Sequence, residues 1–232
     1  MTTTLVTGAT RGLGKETARQ LVAAGHTVWV GARDLDAGRA VAAEISTGGH
    51  TARAVQLDVT DDASVASAFA LLDAEGGLDV LVNNAGIGKS GRNGPEALEV
   101  FDTNAVSVVR TTEAALPLLR RSSNPVIVNI SSALGSFAAN HDPDKPASQY
   151  EAIVYGASKA AVSMLTVQYA RAVPEVHVVA VEPGYTATEF GGVPNPHGRP
   201  VEVSAATIVA AATAGPDGPS GVLLEDGAPL GW

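Results

Sequence analysis

Short apolar or β-branched runs recur along the chain at positions 4–7, 27–31, 52–57, 80–82, 126–130, 176–181 and 222–224. Their apolar residues are nearly continuous rather than alternating, which predicts strands covered on both faces. Between the runs the pattern shifts to helical periodicity, and the spacing predicts helices over 13–24, 37–46, 63–75, 95–121, 155–172 and 203–214. Gly25 and Gly76 stand where helix C-termini need a stop, and Pro117 is expected to kink the fourth helix. Strand and helix in alternation predict β-α-β units, hence an α/β fold with a doubly wound parallel sheet of about seven strands and helices on both faces.

The chain carries no internal repeat, linker or charge block, so one domain is expected over residues 1–232. Two stretches lack periodicity, 135–152 and 184–200. Long loops in a compact domain usually carry function, which makes these two the expected substrate walls.

Composition narrows the function. Hydrophobic residues make up 45% and charged residues 17%, as in an ordinary soluble globular protein. A net charge of −9 disfavours nucleic acid and anionic membranes as partners and leaves a small molecule as the expected ligand. Without cysteine there is no disulfide, thiolate metal site or dithiol redox centre, so any redox chemistry must come from a cofactor. The five histidines are scattered, and His141 and His177 have no carboxylate cluster at ligand spacing; no metal site is expected. The N-terminus has no basic segment followed by an apolar run, and nowhere do about 18 apolar residues follow one another. A cytoplasmic protein is expected.

Directly after the first predicted strand comes Thr7-Gly8-Ala9-Thr10-Arg11-Gly12-Leu13-Gly14, followed by a helix. Glycines there allow a tight turn and close approach of the backbone to a pyrophosphate, whose charge the free N–H groups of the helix N-terminus would meet. The alternative for the motif alone is a tight turn that binds nothing. Further along, Tyr155 and Lys159 stand four residues apart in a predicted helix and so share a face. A cation beside a phenol favours the phenolate, and the pair is expected to lower the tyrosine pKa toward working pH as a proton relay.

The glycine turn resembles the TGxxxGxG turn of the short-chain dehydrogenase/reductase superfamily. Further pieces extend the resemblance in the same order: Asn83-Asn84-Ala85-Gly86, Asn104, Asn129-Ile130-Ser131-Ser132, Tyr155-Gly156-Ala157-Ser158-Lys159 and Pro183-Gly184. The family implies a single-domain Rossmann fold that binds a nicotinamide cofactor and oxidises alcohols or reduces carbonyls. It implies a catalytic set of Asn104, Ser132, Tyr155 and Lys159. In this set Tyr155 passes a proton, Ser132 holds the carbonyl oxygen, Lys159 also binds the nicotinamide ribose, and Asn104 holds a water in the proton path. Ser132 is chosen over the adjacent Ser131 because the family's second serine carries the role.

For the cofactor, the resemblance implies contacts from Gly8, Thr10, Arg11, Gly12, Leu13 and Gly14, from Asp58 and Val59 on the adenine, and from Asn83, Ala85 and Gly86 around the adenosine ribose. Pro183, Gly184, Thr186 and Thr188 follow the sixth strand, with Thr188 expected to steady the carboxamide or phosphates and Thr186 competing. The second asparagine, Asn84, is expected to stabilise the central sheet. Asp58 has a competing reading as a helix cap.

NAD-selective sites place an acid about 20 residues past the glycines, where it accepts from the ribose 2′-hydroxyl. Here Ala32 stands at that position, with Arg33 after it and Arg11 in the turn. Two guanidiniums suit a 2′-phosphate, so NADP(H) is the expected cofactor; a solvated Arg33 beside Asp34 is the alternative. The segment between Ser132 and Tyr155 is longer than in compact family members and resembles that of monomeric carbonyl reductases. It is expected beside the helices many members use to dimerise, making a monomer or homodimer the expectation and a tetramer disfavoured. Glu182, before Pro183, is unusual for the family and is assigned no role, a carboxylate facing solvent being the simple alternative. The activity expected is NADPH-dependent reduction of a ketone or aldehyde. A specific alcohol dehydrogenase or biosynthetic ketoreductase is the alternative, and a cofactor-sensing regulator is disfavoured by the intact proton relay.

Overall fold

The computed structural model describes residues 2–47, 49, 51–89, 92–192, 195–215 and 218–232. Within the 184–200 stretch, Val193 and Pro194 lie outside the described residues.

Seven strands, β1 (Thr3–Thr7), β2 (Thr27–Ala32), β3 (Ala52–Gln56), β4 (Val80–Asn83), β5 (Val126–Ile130), β6 (His177–Glu182) and β7 (Leu223–Glu225), are parallel. An eighth, β8 (Ala228–Leu230), pairs antiparallel with β7, giving the order β3-β2-β1-β4-β5-β6-β7-β8. The β7–β8 turn is Asp226-Gly227, both at positive φ (49° and 81°), the conformation that a two-residue hairpin loop requires.

The helices are α1 (Gly12–Ala23), α2 (Leu35–Ile45), α3 (Asp62–Ala74), α4 (Gly94–Phe101), α5 (Ser107–Leu119), α6 (Phe137–His141), α7 (Ile153–Ala172) and α8 (Val201–Thr213). The helix expected over 95–121 is thus α4 and α5 joined by a π-turn, Asp102–Val106, and α5 runs through Pro117. Single π-turns of this kind concentrate at functional sites, and this one carries Asn104.

Successive strand residues serve opposite layers, because side chains alternate across a sheet. Val6, Val28, Val30, Val82 and Val128 pack with α1, α2 and α8. Leu5, Trp29, Leu81 and Ile127 pack with α3 and α5. Both faces are dry, which explains the near-continuous apolar strands. Strand order reverses between β1 and β4, and the crevice beyond the carboxyl ends of the strands at such a switch point is where open α/β sheets bind ligands.

The expected loop 135–152 contains α6 and a short 3₁₀ turn, Pro146–Gln149. It docks on the C-terminal segment: Ala138 N–H donates to Trp232 O at 2.8 Å, Ser136 Oγ to Gly231 O at 2.5 Å, and Lys145 pairs with Glu225 at 2.8 Å. It also meets α7, where a Cβ on Gly135 would lie 2.5 Å from Ala160 N, and the Arg92–Glu151 ion pair joins it to the segment before α4. Among the described residues no helix is long and apolar enough to cross a membrane.

Candidate active site

A cleft of about 1230 Å³ opens along the carboxyl ends of β1, β2, β4, β5 and β6. That exceeds the roughly 300–1,000 Å³ of a typical small-ligand pocket and leaves room for two ligands side by side. Its floor is the turn from β1 into α1. A Cβ on Gly14 would lie 2.4 Å from Asn84 Nδ2 and 2.7 Å from Gly8 O, so no larger residue fits where the turn folds against β4. Asn84 Nδ2 donates to Thr7 O at 2.8 Å and bridges to Gly8 O, bracing that turn.

The Asn84 side chain thus ties the exit of β4 to β1, as expected of it, while the Asn83 side chain turns into the core. The buried Asn83 binds the sheet together, accepting from Thr111 Oγ1 at 2.7 Å and donating to Asn129 Oδ1 at 2.9 Å, while Asn129 donates to Thr166 Oγ1 at 2.9 Å. This network joins β4 and β5 to α5 and α7 in the core, whereas Asn84 serves the cofactor turn.

Three features prepare the floor for an anion. Helices α2, α3 and α4 are capped by the side chains of Asp34, Asp61 and Asn93, but no side chain caps α1 and no acid occupies its first turn. The α1 N–H groups therefore face the cleft with their partial positive charge available. Among the described residues every Lys and Arg pairs with a carboxylate except Arg11, Arg33, Lys159 and Arg171, and the first three of these line the cleft. Asp34 is not the partner of Arg33: its carboxylate accepts from Asp36 N at 2.9 Å and Ala37 N at 3.2 Å.

Asp58 and Val59 border the same end of the cleft, with Thr10 and Leu13. The cap of α3 is Asp61, so Asp58 is free of that duty; its Oδ1 accepts from Thr60 N and Oγ1, and those bonds hold its carboxyl below the usual carboxylate range. Ala85 and Gly86 continue the floor. Across it, Thr188 faces Gly12, whose added Cβ would sit 3.6 Å from Thr188 Cγ2. Thr186 instead bonds Gly184 O and Ser204 Oγ, both at 2.8 Å, so Thr188 is the better placed of the two.

The reacting end is built by α7 and the exit of β5. A Cβ on Gly135 would lie 2.5 Å from Ala160 N, so the 3₁₀ turn Ala133–Gly135 lies flush on α7 and sets Ser132 against Tyr155. Ser131 points inward, bonding Lys159 O at 3.1 Å and Ser163 Oγ at 2.8 Å. Ser132 faces the cleft. Lys159 is 4% exposed, donates to Ile130 O at 2.7 Å, and stands 5.7 Å from the Tyr155 ring centroid.

Asn104, in the π-turn, accepts from Ile87 N at 2.8 Å and donates to Ile87 O at 3.0 Å and Ser158 Oγ at 3.1 Å. Its amide is thereby committed to holding the loop after β4 against α7, beside Lys159.

The protonation states depart from expectation. Burial pushes the Tyr155 hydroxyl up rather than down, with the negative charge of Glu182 adding to it and the Ser132 hydroxyl opposing. Burial pushes Lys159 down to about 8, against which the charge of Glu182 works. The lysine supplies too little at this distance to offset the tyrosine's loss of solvent.

Glu182 is the main residue that sequence reasoning missed. It is 6% exposed, not solvent-facing, and accepts from Ala133 N and, at 2.7 Å, Gly184 N. An acid closing an otherwise apolar strand was the only available signal. The mouth was also unforeseen: the Tyr185 and Tyr150 rings lie tilted with centroids 6.0 Å apart, and Phe190 sits edge-on at 5.7 Å from Tyr155. These aromatics come from the two loops expected to wall the substrate.

The family model for short chain dehydrogenase matches residues 2–195. A short-chain dehydrogenase of Penicillium roqueforti, anuI, is 32% identical over 236 residues, which cover 96% of this chain and 93% of that protein. The rhamnolipids-biosynthesis 3-oxoacyl-(acyl-carrier-protein) reductase of Pseudomonas aeruginosa is 32% identical over 250 residues, covering 96% and 94%. Among solved structures, an NADPH-bound carbonyl reductase from chicken fatty liver superposes with a TM-score of 0.86 at 29% identity, covering 99% of this chain and 98% of that one.

Proposed function

The chain belongs to the short-chain dehydrogenase family of oxidoreductases, and from that premise we propose that it reduces a ketone or aldehyde to an alcohol with NADPH. The observation that carries the cofactor choice is the set of unpaired cations. In a chain of net charge −9, Arg11 and Arg33 form no ion pair among the described residues, although Arg33 acts through space on Asp58, and both line the cleft end bordered by Ala32 and Asp58. An acid at position 32 would repel a 2′-phosphate; alanine does not, and two guanidiniums attract one. The uncapped α1 N-terminus and the Gly14 cradle fit a pyrophosphate.

NADPH, held by the β1–α1 turn with Arg11 and Arg33, would supply a hydride for the carbonyl carbon. Ser132 orients the carbonyl oxygen by hydrogen bond, and Tyr155 gives its hydroxyl proton to that oxygen as negative charge develops there. Lys159, buried and cationic below its shifted pKa, stabilises the phenolate left behind. Asn104 fixes the loop at Ile87 and, through Ser158, the start of α7. The exposed faces of Tyr150, Tyr185 and Phe190 suit a bulky, apolar carbonyl compound.

The test is NADPH oxidation against a panel of ketones and aldehydes, run beside NADH at equal concentration. Turnover with NADPH and little with NADH supports the reading. Tight NADPH binding without turnover of any carbonyl would overturn it in favour of a cofactor-sensing regulator.

A further inference from the structure

Position 182 closes β6, one residue before the Pro183-Gly184 turn, and its side chain enters the cleft between the β5 and β6 exit loops. One carboxylate oxygen accepts from the N–H of Ala133 and the other from the N–H of Gly184. The Ala133 N–H belongs to the peptide that follows Ser132, so the carboxylate holds the backbone on which that serine is mounted. The Ser132 hydroxyl also faces Glu182 and Tyr155 together. Resting on the reductase reading, we propose that Glu182 is a positioning residue for the reaction: it fixes Ser132 and, by its charge, keeps Tyr155 in the hydroxyl form that carbonyl reduction consumes.

The charges around Glu182 support that role. From α7 it is faced by Tyr155 and Lys159. From β7 the residue in register is Glu225, whose charge is tied to Lys145 at 2.8 Å, and beyond Gly184 lies Arg199, tied to Asp226 at 2.8 Å. Strand β5 and the packed face of α8, with Ser204, Ala205 and Ile208, bring no charge. Among the described residues no cation forms an ion pair with Glu182; Lys159 is the facing cation and acts on it through space. Two N–H donors make the buried anion tolerable, although burial raises its pKa above the usual carboxylate range.

The sign of the effect follows. In the alkaline range where a tyrosine ionises, Glu182 is already an anion, and a second negative charge on the Tyr155 phenolate is disfavoured by it. Reduction starts from the phenol: the Tyr155 O–H bond breaks and the product alcohol's O–H bond forms. Oxidation starts from the phenolate, which accepts the alcohol proton. Glu182 therefore shifts the tyrosine limb of both directions toward higher pH.

The experiment compares pH profiles of kcat/KM in both directions for the wild-type protein, Glu182→Gln and Glu182→Asp, with NADPH affinity measured for each. Glu182→Gln is expected to bind NADPH and to move the tyrosine limb of both profiles to lower pH by about one unit or more, the size of effect one neighbouring charge has on a pKa. Glu182→Asp, which keeps the charge, is expected to restore the wild-type limb. Coincident profiles for the wild-type protein and Glu182→Gln would overturn the proposal. Should neither variant fold, NMR of the cofactor-free wild-type protein decides. The Tyr155 ring-carbon resonance is expected to step as the Glu182 carboxyl carbon titrates, and a Tyr155 signal indifferent to that titration would overturn the proposal. The NMR outcome does not depend on turnover, so it separates failure of this inference from failure of the reductase reading.

Discussion

Substituting Arg33 by Ala removes one of two guanidiniums at the adenosine end of the cleft without touching the sheet, because the side chain is exposed and bonds to nothing among the described residues. A hydrogen bond to a charged group contributes roughly 1.5–3 kcal/mol, and the exposure of Arg33 places it toward the lower end through solvent screening. At about 1.4 kcal/mol per tenfold, the lower end of that range corresponds to a loss of roughly 10-fold to 30-fold in NADPH affinity. NADH lacks the 2′-phosphate and should bind Arg33→Ala as it binds the wild-type protein. The loss should also shrink as salt rises, since both partners are solvent-accessible. Calorimetric titration of NADPH and NADH into both proteins at two ionic strengths measures all of this. Equal weakening of the two cofactors, or no change in either, would refute the argument from unpaired cations.

Other residues give equally direct tests. Gly14→Ala should abolish cofactor binding and lower the melting temperature, since its Cβ meets Asn84 Nδ2 at 2.4 Å and Gly8 O at 2.7 Å; cofactor fluorescence titration checks it. Ser131→Ala should cost about 1–3 kcal/mol of unfolding free energy by orphaning buried partners while leaving turnover largely intact, and Ser132→Ala should do the reverse, read by denaturant unfolding beside steady-state kinetics. Lys159, held near pKa 8 by burial, binds fewer protons folded than unfolded between about pH 8 and its ordinary 10.5, so stability rises with pH through that window. Lys159→Met in the cofactor-free protein should flatten that rise in thermal melts, and an unchanged slope would contradict the assignment.

Much of the architecture was legible because strands buried on both faces are mostly apolar, as the central strands β1, β2, β4, β5 and β6 are, whereas the edge strand β3 exposes Arg53 and Gln56. Strand β8 escaped because three residues including Pro229 carry no periodicity; only the Asp226-Gly227 pair marks the hairpin. The π-turn at Asp102–Val106 was invisible because one widened turn hardly disturbs a helical apolar pattern. At the site, the glycine turn and the Tyr155–Lys159 pair were readable from local spacing, and Ser132 from the family resemblance. What was not readable depends on contacts between distant segments. Which asparagine of Asn83-Asn84 faces the core is decided by Thr111, Asn129 and Thr166. The raised Tyr155 pKa and the burial of Glu182 arise where β5, β6 and α7 converge, and residue spacing carries no record of desolvation.

The central claim is that Tyr155 passes the proton in an NADPH-dependent reduction, and the direct measurement is NADPH consumption and NADPH affinity in Tyr155→Phe beside the wild-type protein on the best carbonyl substrate found. The account predicts an affinity close to wild type with turnover reduced by at least about 100-fold, the contribution typical of a positioned general acid. Turnover at the wild-type rate in Tyr155→Phe would contradict it.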